Sequence, residues 1–151
     1  MFSVEGIAVV SVERTFVVGR PLEVVVDYLK DFARTEAWDP GTVRCVPLEP
    51  GPVAEGSTWR NTSVFRGRET ELTYRLTRLE PARLTFVGTN RTATSTDDLT
   101  FREVDGGTSI TYRADVTFHG LAKLAAPFLR GEFERLGDEV ARTLPDVIDR
   151  L

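Results

Sequence analysis

The chain has almost no cysteine and almost no histidine, one of each in 151 residues. A lone thiol, Cys45, has no intrachain disulfide partner, so nothing calls for an oxidising compartment and the expected location is cytoplasmic. One histidine and one cysteine also fall short of the usual zinc ligand set, and neither HExxH nor CxxC occurs, so no metal is expected. The glycines do not gather into a phosphate-cradling loop or a dinucleotide fingerprint, and the chain is read as needing no cofactor.

Long apolar runs are missing too: none approaches the roughly 20 residues of a membrane span. The amino terminus, MFSVEGIAVV, lacks the basic segment and small-residue cleavage site of an export signal, and export is not expected. The glycosylation-type triplets at Asn61 and Asn90 are then read as chance. Nor is positive charge concentrated. The net charge is -4, with arginines dispersed among 23 acids, which argues against the clustered cations that replace counterions on a phosphate backbone. No nucleic-acid partner is expected, and nothing in the pattern sets an oligomeric state.

What is present is the make-up of a single globular domain, residues 1–151, with 41% hydrophobic and 28% charged residues. An opening strand runs roughly from Ile7 to Val18. In GRPLEVVVDYLKDF the valine triplet favours strand, but Leu22, Val25, Val26 and Leu29 fall at i, i+3, i+4 and i+7, behind Pro21 and Glu23. That spacing predicts a helix. A second short helical turn follows in ARTEAWDPG, stopped at Asp39-Pro40-Gly41.

From TVRCVPLE to Phe118 the pattern is strands and turns, with a hairpin around Gly67 and another at the DGG turn. Leu72, Tyr74 and Leu76 share one face and Glu71, Thr73, Arg75 and Thr77 the other; Ile110, Tyr112, Ala114, Val116 and Phe118 repeat this. A sheet dry on one side and wet on the other is predicted. One element remains to cover it: a helix from Leu121 to about Leu144, with Leu124, Ala125, Phe128, Leu129, Phe133, Leu136 and Val140 along its stripe. Pro127 inside such a helix costs about 3 kcal/mol and Gly131 roughly 1 more, so the helix is expected to bend at Pro127 and follow a curled sheet.

This order, together with the phrases RTFVVGRPLEVVVDYLKDFARTEAWDP, EGSTWR, YRLTRLEPARLTF, EVDGGTSITYRADV and GLAKLAAPFLRGEFERLGDEVARTL, resembles the polyketide cyclase/dehydrase and lipid-transport group of the START-like (SRPBCC) superfamily. The resemblance implies an α+β helix-grip fold: a curved antiparallel sheet of about seven strands around a long carboxy-terminal helix, with two short helices after strand 1. It also implies a ligand cavity between sheet and helix. Fold analogy supports a cavity, not a reaction, and no catalytic residue is carried over.

Several residues stand out as candidates for that cavity. Glu132 lies four residues after Phe128 and four before Leu136, a carboxylate on an apolar stripe. It is either a ligand anchor or acid/base group, or, the commoner outcome, an edge residue paired with an arginine. Asp97 alternates onto the inner face with Ser95, Leu99 and Phe101, although a one-residue bulge would exchange it with Asp98. Trp59, Asn61, Ser63 and Phe65 share a face that mixes aromatic and hydrogen-bonding groups, as a ligand pocket does, but core packing is the commoner fate of a tryptophan there. The hydroxyls of Tyr74 and Tyr112 face the same choice. Trp38 is either a gate or packing, and His119 reads as a junction residue.

The first functional reading is the binding or carrying of a hydrophobic small molecule, a lipid, polyketide or aromatic metabolite. Leu72, Tyr74, Phe86, Phe101, Tyr112, Phe128 and Leu129 would supply apolar contact, beside Trp59, while Asn61, Asp97 and Glu132 fix orientation. The alternative is a cofactor-independent aromatase or cyclase with Glu132 or Asp97 as base. A third reading is a partner-binding module whose cavity is filled.

Overall fold

The computed structural model describes residues 9–151. Ile7 and Ala8 of the expected opening strand, and the amino-terminal segment before them, lie outside the described residues. The chain runs β1 (Val9–Val18), α1 (Leu22–Leu29), a 3-10 turn (Phe32–Arg34) leading into α2 (Thr35–Trp38), then β2 (Thr42–Pro47), β3 (Thr58–Phe65), β4 (Arg68–Glu80), β5 (Arg83–Thr89), β6 (Ala93–Val104) and β7 (Gly107–Phe118). A second 3-10 segment, Gly120–Ala125, precedes the long helix α3 (Ala126–Asp149). The seven strands form one antiparallel sheet in the order β1-β7-β6-β5-β4-β3-β2, so β1 and β2 are its edges. Register shifts in β2/β3 at Thr42/Arg44 and in β4/β5 at Leu76/Arg78 bend the sheet, as bulges do. This is the helix-grip arrangement.

The expected faces are those observed. Leu72, Tyr74 and Leu76 are buried and their neighbours exposed, while Ile110, Tyr112 and Val116 are buried on β7. In α1, Val25, Val26 and Leu29 turn inward, so helical spacing prevails over the strand propensity of the valines, which tertiary burial can override. Between sheet and helices, Trp59, Phe32 and Phe86 form an aromatic cluster with centroids 4.5 to 6.1 Å apart. Leu144 and Ile148 of α3 close it, both fully buried. Burying each such side chain contributes about 1.5–3 kcal/mol, so this half of the grip is where stability concentrates.

The other half differs from expectation. There is no bend at Pro127: the helix begins at Ala126 and the proline sits in its first turn, where its missing N–H breaks no hydrogen bond. The preceding residues form a 3-10 segment of three residues per turn, which puts them out of phase with the α-helical stripe. Leu121 and Leu124 are therefore 87% and 73% exposed instead of covering the sheet, and Phe128, on the outer side of the first turn of α3, is 79% exposed. The inward column starts at Leu129 and continues through Phe133, Leu136 and Val140. Gly137 lies on this column, and its lack of a side chain lets the helix approach β1: a Cβ there would collide with Val12 Cγ2. Among the described residues no helix is long and apolar enough to cross a membrane.

Candidate functional site

Because α3 is pinned to β1 at Gly137 and to the core at Leu144, its amino-terminal half roofs an unfilled space. The resulting cavity of about 250 Å³ is partly open to solvent. Leu72, Val12, Ala114, Val116, Leu129 and Val140 supply apolar wall. At the rim Phe133 stacks on Phe65 at 5.0 Å and tilts against Phe118 at 6.4 Å. The filled-cavity reading therefore loses its premise, since the packed cluster around Trp59 stops short of this space.

The polar wall is built by β6 and its neighbours. Strand β6 pairs with β7 without a bulge from Ala93 to Val104, so alternation holds: Asp97 points inward, while Asp98 points outward to an ion pair with Arg83 at 2.8 Å. Asp97 is 7% exposed. Its Oδ2 accepts a hydrogen bond from the Tyr112 hydroxyl at 3.1 Å and its Oδ1 a long one from Ser95 at 3.4 Å. Tyr74 reaches this corner because it faces Gly88 across β4/β5. A Cβ on Gly88 would stand 2.6 Å from the Tyr74 ring, so only glycine lets the ring lie flat over β5 towards Ser95.

A second carboxylate completes the wall. Asp39, which follows α2, lines the cavity and accepts from Gly41 N at 3.1 Å and the Thr42 hydroxyl at 2.8 Å. Burial, then the negative charge of Asp39, pushes the Asp97 carboxyl up to about 7, against the hydrogen bonds from Tyr112 and Ser95. Burial likewise raises Asp39, opposed by Thr42 and Gly41. Burial and the nearby Asp97 hold the hydroxyls of Tyr74 and Tyr112 well above their usual range, so both stay protonated. Chemically, the corner can accept or donate a proton near neutrality through Asp97, beside two neutral phenols. Among the described residues no three of His, Cys, Asp and Glu gather where they would hold a metal ion.

The residues singled out from the sequence divide. Tyr74, Asp97 and Tyr112 line the cavity, as do Leu72, Ser63, Phe65 and Leu129. Trp59, Phe86 and Phe101 are buried in the core away from it, and the Trp59 indole is occupied by Asp31 at 3.1 Å. Asn61 does not reach the cavity; its amide donates to Thr42 at 3.2 Å, and so orients the hydroxyl that Asp39 accepts. Phe128 faces solvent. Glu132 shares the column of Phe128 and makes a two-pronged ion pair with Arg135, at 2.8 and 3.2 Å. It stands outside the cavity, because the stripe on which it was counted begins one residue later. Trp38 packs edge-on against Tyr112 at 5.9 Å and is not at the rim, and His119 bonds Thr94 at 2.8 Å on the surface.

In the sequence Asp39 marks only a helix stop. The Asp-Pro-Gly wording carries no sign that the side chain turns inward, whereas Ser95 was accessible through its parity with Asp97.

A family model described as polyketide cyclase / dehydrase and lipid transport matches residues 9–146. No curated protein matches the chain in sequence. Among solved structures, the chain is similar to the Zhui aromatase/cyclase from Streptomyces sp. R1128, at 18% identity and a TM-score of 0.77 over 94% of each chain. It is also similar to a START superfamily protein from Mycobacterium smegmatis, at 13% identity and TM-score 0.73, covering 93% of this chain and 97% of that one. The di-domain ARO/CYC StfQ of the steffimycin pathway aligns at 16% identity and TM-score 0.71, over 97% of this chain and 52% of that one. At these identities the likeness establishes the fold.

Proposed function

The chain belongs to the polyketide cyclase / dehydrase and lipid transport family, and from that premise we propose that it binds a compact hydrophobic small molecule in the cavity between sheet and α3. The observation that carries this reading is the unfilled, mostly apolar space of about 250 Å³ in whose wall Asp97, Tyr112, Tyr74 and Asp39 are the buried ionisable groups. That combination of apolar wall and few placed polar atoms suits a small organic ligand. A space of this volume accommodates a one- or two-ring compound. Asp97, Tyr112, Tyr74 and Asp39 would orient its polar end, and the phenylalanines of the rim would close over its apolar end.

Native mass spectrometry after incubation with mixed aromatic and polyketide extracts tests this. A stoichiometric added mass is expected on the wild type and not on Ala114→Phe, which fills the space opposite Asp97. No added mass on either protein overturns the reading.

One observation favours a second reading, acid–base turnover of the bound molecule: a buried carboxyl, Asp97, stands in the cavity wall beside the Tyr112 hydroxyl, and burial and Asp39 push it up to about 7, towards the range suited to proton transfer at neutral pH. In that case turnover of the captured compound by Asp97→Asn, measured at saturating ligand so that weaker binding does not enter, falls by about 10² or more.

A further inference from the structure

Among the described residues, none that lines the cavity carries a positive charge. Asp39 and Asp97 face it, and no lysine, arginine or histidine does. The nearby arginines are committed outside, Arg83 to Asp98 and Arg113 to Asp115 and Glu13. The charges that act most on Asp97 are Asp39 and Asp115, and on Asp39 it is Glu139, all of one sign. A carboxylate offers about four acceptor positions. Asp97, more than nine-tenths buried, has one hydrogen bond of ordinary length and one long one, so acceptor capacity remains turned into a space that is large enough for a ligand. Burying a carboxylate without a cation beside it is costly, and none of the described residues lining the cavity is a cation.

We infer that the ligand itself supplies the missing charge: the cavity takes an aromatic or alicyclic amine, its ammonium against Asp97 in the field of Asp39 and its ring under Leu129, Phe133 and Val140. Carboxylate-bearing molecules are rejected by the same field. The inference rests on the reading of the cavity as a small-molecule site and names the chemical class for it.

The test compares three probes of nearly equal size, 2-phenylethylamine, 2-phenylethanol and phenylacetate, by calorimetry at pH 8, where Asp97 is mostly ionised. The ionisable groups facing Asp97 are Asp39, which follows α2, Tyr74 of β4 and Tyr112 of β7; Asp115 acts on it from the outer face of β7, and Glu139 of α3 acts through Asp39. The amine is expected to bind at least about tenfold more tightly than the alcohol, as a charge-assisted hydrogen bond allows, and phenylacetate not at all. In Asp97→Asn the ratio of amine to alcohol affinity is expected to fall to about one, whatever the change in the alcohol itself; Asp39→Asn lowers the ratio in part. Equal binding of alcohol and amine, or a preference that survives Asp97→Asn, overturns the inference and leaves the small-molecule reading standing. Binding of none of the three to the wild type, with no added mass in the extract experiment, overturns both.

Discussion

Asp97→Asn should make the protein more stable at pH 8, although it removes the group most central to the cavity. The native carboxyl titrates at about 7, against 3.8 for the free side chain. Its folded-state value is raised, so between these two pH values the native state holds a proton that the unfolded chain has released. Stability from this group is therefore intact below about pH 4 and declines as pH rises towards 7. A difference of about three units corresponds to about 4 kcal/mol at 1.36 kcal/mol per unit. Asparagine is close in shape and uncharged at every pH, so it escapes this loss, but its amide needs a partner beside Tyr112 and Ser95, which takes back roughly 1–2 kcal/mol. The net expectation is that Asp97→Asn is more stable than wild type by about 2 kcal/mol at pH 8. At pH 4 the difference should vanish or change sign. Urea unfolding at both pH values measures it, and the wild-type-minus-variant difference cancels the titration of all other groups. A variant less stable than wild type at pH 8, or a difference that does not change with pH, would refute the argument that burial and Asp39 raise this carboxyl.

Two further outcomes probe the framework around the cavity. Gly137→Ala should raise helix propensity by about 1 kcal/mol yet lower stability overall, because the new methyl meets Val12 Cγ2 and overpacking of this kind costs about 1–3 kcal/mol; a raised melting temperature would contradict the close seating of α3 on β1. Burial pushes the Cys45 thiol up to about 11 from 9.0, so at pH 8 its reaction with a disulfide reagent should be at least about 10² slower in the native protein than in urea, and a fast native reaction would show that β2 leaves it open.

The fold was legible because its signals are local and repeated. Two-residue alternation in β4 and β7, three- and four-residue spacing in α1 and a two-residue turn at Arg66 and Gly67 each report a face or a reversal, and the faces have to meet. Asp97 was legible for the same reason: β6 keeps its register, so parity alone turns it inward. Phe128 was misplaced because the inward column of α3 runs through Leu129, Phe133, Leu136 and Val140, one residue out of step with the stripe read from the sequence, and Glu132 on the same outer column takes the edge position, paired with Arg135, that its spacing also allowed. Pro127 misled, since whether a proline bends a helix or begins one depends on where the first turn lies. Asp39 was hidden for another reason. Its direction is set by the turn at Gly41 and Thr42 and by the contact of α2 with β2, neither of which has a period in the sequence.

Periodicity states which side of an element is dry but not how far away its covering element stands, and a cavity is a matter of that distance. In this chain the distance follows from two attachments of α3, at Gly137 and at Leu144. Beyond them towards the carboxy terminus the grip closes on Leu144, Ile148 and the Trp59 cluster; towards the amino terminus the inward column of Leu129, Phe133 and Leu136 is left holding a roof over open space. A sequence selected for stability alone would turn the large ring of Phe128 into that space and place an apolar residue at 97. Instead the ring lies in solvent and a carboxyl faces the opening, at a cost in stability above pH 4. Both departures concern the same cavity, and a ligand with a donor or a positive charge at its polar end relieves the one that costs most.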